Sequence, residues 1–146
     1  MHKPPSQENN QDNNSQQEVK DKRIIDLRTI SDSRGRLTVL ENNLKNIPFE
    51  IKRIFWIFDC NYEERGKHRH KKTVQVATCP SGSCVIDVND EDLVTHSYLL
   101  NDPKIGLLLE PKDFHTMRDF TKDAVLMVFA SEHYDPEDYI YDNYPT

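Results

Sequence analysis

Residues 65–72, RGKHRHKK, set two histidines one residue apart within a run of cations. In an extended strand successive side chains alternate faces, so His68 and His70 project together while Lys67, Arg69 and Lys71 point the other way. Two imidazoles side by side form either a metal-ligand pair or an acid/base pair that works near neutral pH. The plain alternative is a pair of polar residues at an exposed strand end. A third histidine, His115, stands in a later block with its own turn signals and favours a site.

The elements around these residues read as strand after strand. Arg23–Thr29 alternates loosely, and Ser31–Gly35 turns the chain into Arg36–Glu41 (RLTVLE). A polar loop through Asn42–Asn46 leads to Phe49–Asp59 (FEIKRIFWIFD), which begins alternating and ends nearly all apolar, as expected of a strand entering a core. Lys71–Cys79, Cys84–Val88, His96–Leu100, Ile105–Leu109, Phe114–Phe120 and Ala124–Ala130 follow, separated by turn residues. Near the end, Asp135 caps a short helix opened by Pro136, with Glu137 and Asp138 in its first turn. Many short strands at regular spacing indicate an antiparallel sandwich or small barrel, and histidines pointing into its mouth would form a ligand site.

The chain of 146 residues suits one domain with a real core. Residues 1–20, rich in Asn and Gln, offer no apolar side chain besides prolines between Met1 and Val19 and read as a disordered polar tail. The single domain then spans residues 21–146. That tail lacks the apolar stretch of an export signal, and no run reaches the roughly 18 apolar residues of a membrane span. A soluble cytoplasmic protein with no membrane partner is expected. Net charge of −6 and a pI near 5.5 argue against nucleic acid but allow a small anionic ligand at a local basic cluster. Cys60, Cys79 and Cys84 have no CxxC spacing and read as thiols.

Gly66-x-His68-x-His70, followed at a distance by Gly82, resembles the first motif of the cupin superfamily. Gly106, Pro111, His115 and Asp119 resemble its degenerate second motif. Four residues after the second histidine, where metal-binding cupins carry a glutamate ligand, this chain has Val74. Three histidines could still hold Zn²⁺ or Fe²⁺. The strings DSRG, NIPFEIKRIFWIFD, RGKHRHKK, SGSC, FHTMRDF and ASEHYDPEDYI resemble, in order and spacing, the nucleotide-sugar 3,4-ketoisomerases, from about Ile24 to Tyr144.

This resemblance implies an all-β, cupin-type jelly roll, an antiparallel double-sheet sandwich, in a homodimer that exchanges N-terminal strands. It implies a dTDP-linked 4-keto-6-deoxyhexose as substrate, no metal and no cofactor, and proton transfer by His68 and His70. Moving a carbonyl from C4 to C3 requires removal of the acidic C3 proton, passage through an enediol and reprotonation at C4, which histidines can manage. Arg53 and Arg65 are the candidates for holding the diphosphate, and Phe55 and His115 for lining the substrate site. The chain departs from the family's pattern at Phe55 and Trp56, where a tyrosine pair is usual, and also at Arg69, Val74 and Phe114. Two further readings follow: a sugar-nucleotide-binding cupin with weakened catalysis, and a three-histidine metal-dependent enzyme.

Overall fold

The computed structural model describes residues 21–42 and 46–145. The expected tail, residues 1–20, lies outside them. Two five-stranded sheets carry the fold. The first runs in the order β1 (Ile24–Asp26), β9 (Ile105–Leu109), β6 (Gln75–Ser81), β11 (Val125–Ala130) and β4 (Arg53–Ile57). The second runs β12 (Tyr139–Ile140), β5 (Arg65–His70), β10 (Phe114–Arg118), β7 (Cys84–Asn89) and β8 (Thr95–Leu100). A hairpin of β2 (Arg28–Asp32) and β3 (Gly35–Val39) forms a separate two-stranded sheet. All the strand pairings are antiparallel.

Alternation decides which side chains meet between the sheets. Ala77 of β6, Ile86 and Val88 of β7, Leu107 of β9 and Leu126 and Val128 of β11 are fully buried in one cluster, with Phe55 and Ile57 packed against it. The opposite face of the first sheet is covered as well. There Val76 joins Leu27, Ile47 and Phe49, and Val74 packs against this second cluster. Burial on both faces explains why residues 75–79 have no exposed position and why the sequence around them does not alternate cleanly between polar and apolar.

Several elements end differently from the sequence reading. The first expected strand breaks at Leu27, which turns into the second cluster while its N–H donates to the Lys104 carbonyl at 2.8 Å. The long run from Phe49 is a strand only over Arg53–Ile57, because Phe49 is consumed by the second cluster. The C-terminal helix is a single 3-10 turn, Pro136–Asp138, capped by Asp135, whose carboxylate accepts from the Glu137 N–H at 3.0 Å. All three cysteines are free thiols, Cys79 and Cys84 being buried.

Candidate active site

The two histidines of the basic run sit on β5, the strand between β10 and β12. Gly66 and Lys67 adopt φ of +81° and +59°, and the register with β10 slips here, pairing Thr116 with Gly66 and His115 with His68. Lys67 is thus the extra residue of a bulge, a device that re-aims neighbouring side chains. It sets His68 directly across from His115, with ring centroids 4.7 Å apart. On the other side His70 pairs with Tyr139, their rings 4.6 Å apart. His68 and His70 share a face as the alternation required, with centroids at 5.0 Å. Exposed Lys67 points away, and Arg69 stacks on Tyr144 at 4.1 Å.

Gly66 is required at the bulge. A Cβ there would stand 2.9 Å from the His115 carbonyl oxygen, in a backbone conformation that side chains rarely adopt. Gly66→Ala is expected to cost roughly 1–3 kcal/mol and to displace His115 from His68. Thermal unfolding together with turnover checks this; an unchanged melting temperature and rate would contradict it.

Each histidine is fixed by a bond at Nδ1. His68 Nδ1 lies 3.1 Å from the Gly66 carbonyl, His115 Nδ1 3.2 Å from the Asp113 carbonyl, and His70 Nδ1 2.9 Å from Asp138 Oδ2. Oxygen acceptors at all three positions assign the proton to Nδ1 and leave the Nε2 lone pairs free. Nε2 of His70 and of His115 are buried without a partner among the described residues. Asp138 is itself buried and held from three directions, by His70, by the Thr73 hydroxyl and by the Lys72 N–H at 2.8 Å.

Electrostatics keep the trio neutral. Burial lowers His68 to about 4, helped by His70 and Arg53 against the Gly66 carbonyl bond. Burial likewise lowers His115 to about 3, with His68 and His70 adding to it. Burial pushes His70 below its ordinary value although Asp138 pulls it back. Burial opposes ionisation of Asp138, but the bonds from Thr73, Lys72 and His70 outweigh it and hold the carboxyl below the usual range.

A cavity of about 260 Å³ opens over this cluster, lined by His68, His115 and Tyr139 on one side and by Phe55, Ile57 and Gln75 on the other. Arg65 is exposed at its rim. Arg53 shares the inward face of β4 with Phe55, and its guanidinium lies 5.4 Å from that ring's centroid; Trp56 faces outward, 56% exposed. His115, a candidate for lining the substrate site, belongs to the cluster. Three participants escaped sequence reasoning. Asp138 and Tyr139 lay in view in the ASEHYDPEDYI string but were assigned no role there, and nothing in the sequence marked Gln75.

One ring nitrogen from each of His68, His70 and His115 lies within 4.8 Å of the others, a set that fits a divalent cation with imidazole ligands. No acidic residue joins that group among the described residues, and Val74 packs on the far side of the first sheet. A bound cation would supply Lewis-acid polarisation of a carbonyl oxygen.

Two antiparallel sheets with paired histidines at the mouth define a cupin-type site suited to acid/base chemistry. Comparison with known proteins narrows that class. The family described as "FdtA: WxcM-like, C-terminal" matches residues 20–145, and the chain belongs to it. It is 46% identical over 125 residues to the TDP-4-oxo-6-deoxy-alpha-D-glucose-3,4-oxoisomerase of Aneurinibacillus thermoaerophilus, covering 84% of this chain and 88% of that one. Among solved structures, a 3,4-ketoisomerase from Helicobacter canadensis is similar with a TM-score of 0.77 and 43% identity, covering 82% of this chain and 89% of that one. A mutant of the 3,4-ketoisomerase QdtA from Thermoanaerobacterium thermosaccharolyticum, in complex with TDP-4-keto-6-deoxyglucose, gives 0.77 and 40%, covering 82% and 86%.

Proposed function

We propose that this protein is a sugar-nucleotide 3,4-ketoisomerase that moves the keto group of a dTDP-linked 4-keto-6-deoxyhexose from C4 to C3. The observation that carries the mechanism is His70 Nε2, buried without a partner while Nδ1 is committed to Asp138. A neutral imidazole with a free lone pair, packed against the cavity-lining rings of His68 and Tyr139, is a general base. It takes the C3 proton, the C3–H electron pair becomes the C3=C4 double bond and the carbonyl π pair passes to O4, which the imidazolium so formed protonates to give the enediol. Loss of the O3 proton then re-forms a carbonyl at C3 while C4 receives a proton. His68, whose ring lies 4.7 Å from that of His115 and 5.0 Å from that of His70, is the partner in that second transfer, its free Nε2 taking the O3 proton and returning a proton to C4. Electrons and protons balance within the substrate, so the reaction consumes no redox equivalent.

Arg65, exposed at the rim, is placed to meet the diphosphate. A 3-keto product is the kind of sugar an aminotransferase accepts, so we assign the enzyme to deoxy-amino-sugar synthesis for surface polysaccharides such as lipopolysaccharide O-antigen. Among the described residues no helix is long and apolar enough to cross a membrane, and a cytoplasmic location suits a substrate linked to a nucleotide. The homodimer reading is supported by the separate β2–β3 hairpin, which leaves Ile30 48% and Leu37 57% exposed, and by the outward Ile54 and Trp56 of edge strand β4. Pairing such edges between subunits removes an aggregation liability. A clean monomer in sedimentation at micromolar concentration would oppose it.

Incubation with freshly made dTDP-4-keto-6-deoxyglucose, followed by NMR, tests the function: the carbonyl signal should move from C4 to C3. Binding without any conversion would favour the weakened, ligand-binding reading. Metal is not required in this mechanism, so removal of divalent cations by chelation should leave turnover within about twofold, far below the effect of losing a Lewis acid that does the chemistry. Activity lost on chelation and restored by stoichiometric zinc or iron would transfer the role to the three-histidine cation site.

A further inference from the structure

The histidines account for protons, and the wall facing them has chemistry of its own. Gln75, Ala130 and Arg53 pair in register across β6, β11 and β4. Directly paired residues share a face, so these three side chains form one row at the mouth of the first sheet. Ala130 contributes only a methyl group and is fully buried, which leaves a gap between the two longer side chains. With strands about 4.8 Å apart, Arg53 and Gln75 rise roughly 10 Å from each other on the two flanks of that gap.

Both present polar atoms that nothing among the described residues satisfies. Gln75 is 2% exposed and its Oε1 accepts no hydrogen bond. Arg53 has Nε and Nη2 buried without an acceptor. Its guanidinium lies over aromatic faces, 5.4 Å from the Phe55 ring centroid and 5.8 Å from that of Tyr134. Gln75 lines the cavity, and Arg53 stands behind it against Phe55, which also lines it. Buried donors and acceptors are ordinarily paired, and orphans grouped beside one cavity call for a ligand that brings the complement. Orphan donors on one flank and an orphan acceptor on the other ask for an acceptor and a donor on adjacent atoms of that ligand.

An α-hydroxy ketone has this pattern: the C4 carbonyl accepts and the C3 hydroxyl donates. We propose that Arg53 and Gln75 form the oxygen-binding wall of the site, Arg53 donating to O4 and Gln75 accepting from the 3-hydroxyl. The assignment rests on the ketoisomerase reading and moves Arg53 from the diphosphate, where the sequence had put it, to the reacting ketone. As the C3 proton leaves, negative charge gathers on O4. The Arg53 bonds then strengthen, so they stabilise the transition state more than the bound ketone. Gln75, by holding O3, turns the C3–H toward the histidines. After transfer the carbonyl is at C3 and the hydroxyl at C4, and the carboxamide can offer its N–H to the new acceptor, since Gln carries both functions.

The test uses the full chain and three ligands: TDP alone, TDP-4-keto-6-deoxyglucose, and the same keto sugar nucleotide lacking the 3-hydroxyl. Arg53→Gln should lower kcat at least about a hundredfold, the scale of a lost oxyanion donor, while TDP binds within about twofold of wild type. Arg53→Lys, which keeps the charge, should recover part of that loss and serves if the glutamine variant is unstable. Wild type should bind the 3-hydroxy sugar nucleotide more tightly than the 3-deoxy analogue, and Gln75→Met should reduce that preference at least about tenfold. Weakened TDP binding with kcat intact in Arg53→Gln would return Arg53 to the diphosphate. An undiminished preference in Gln75→Met would remove Gln75 from the sugar. If wild type bound the nucleotides but converted none, the ketoisomerase reading would fail by itself, and the two binding comparisons would still decide the wall.

Discussion

Replacing His70 with asparagine is expected to cut isomerisation at least about a hundredfold, the scale of a positioned acid or base, in a protein that still folds. Asparagine can keep a donor near the position of Nδ1, so the bond to buried Asp138 survives. What it removes is Nε2, the buried ring nitrogen with no partner among the described residues. His68→Asn should fall by a similar factor if the pair acts as a unit. The pH profile has a determined sign. A base must be neutral to work, and burial lowers His70 below its ordinary 6.5. Activity should therefore hold through pH 6.5 and decline only as pH falls through the lower folded-state value. Near-normal rates in both variants would make the pair structural, and an acid limb above pH 7 would contradict the neutral-base assignment.

Asp138→Asn should be nearly as costly to turnover, by roughly 10²–10⁴, although the residue stands behind the histidine. The carboxylate accepts from His70 and Thr73 through Oδ2 and from the Lys72 N–H through Oδ1. An amide has one acceptor oxygen for these donors, and its N–H₂ would face either the Lys72 N–H or the His70–Thr73 pair. His70 would then be driven to the other tautomer, with its proton on Nε2 and no lone pair there to act as a base. Loss of one buried bond should also cost about 1–3 kcal/mol of stability, visible in chemical unfolding. Asp138→Glu, which keeps the charge, should recover some activity if the tautomer is what matters. A purely structural role would lower stability in Asp138→Asn while leaving the rate per folded molecule intact.

The sequence carried the site's centre further than its surroundings. Alternation alone put His68 and His70 on one face and Arg53 with Phe55 on another, because period-two geometry is local. It could not place His115 opposite His68, since that contact depends on a bulge at Lys67 and on pairing between strands about fifty residues apart. Val74 was read as an absent ligand, and in the fold it lies on the far face of the first sheet altogether, packed against the second cluster. Asp138 and Tyr139 were hidden because a short C-terminal turn shows nothing of the strand it will meet, and β12 is only two residues long. Gln75 carried no signal at all: its importance lies in being an acceptor left unpaired by everything around it, a property of packing rather than of spacing. The missing tyrosines at Phe55 and Trp56 also look different in three dimensions. Trp56 faces outward, and the Tyr139 ring lies against both histidines, at 4.8 Å from His68 and 4.6 Å from His70.

The central claim is that a proton leaves C3 to a histidine and another arrives at C4, and running the reaction in D₂O tests it most directly. Conversion of dTDP-4-keto-6-deoxyglucose by the wild-type protein should place deuterium from solvent at C4 of the 3-keto product, and His70→Asn should suppress the labelling together with turnover. A product that keeps the original C3 hydrogen at C4, with no solvent label and no sensitivity to His70, would mean direct hydrogen migration and would contradict the enediol account.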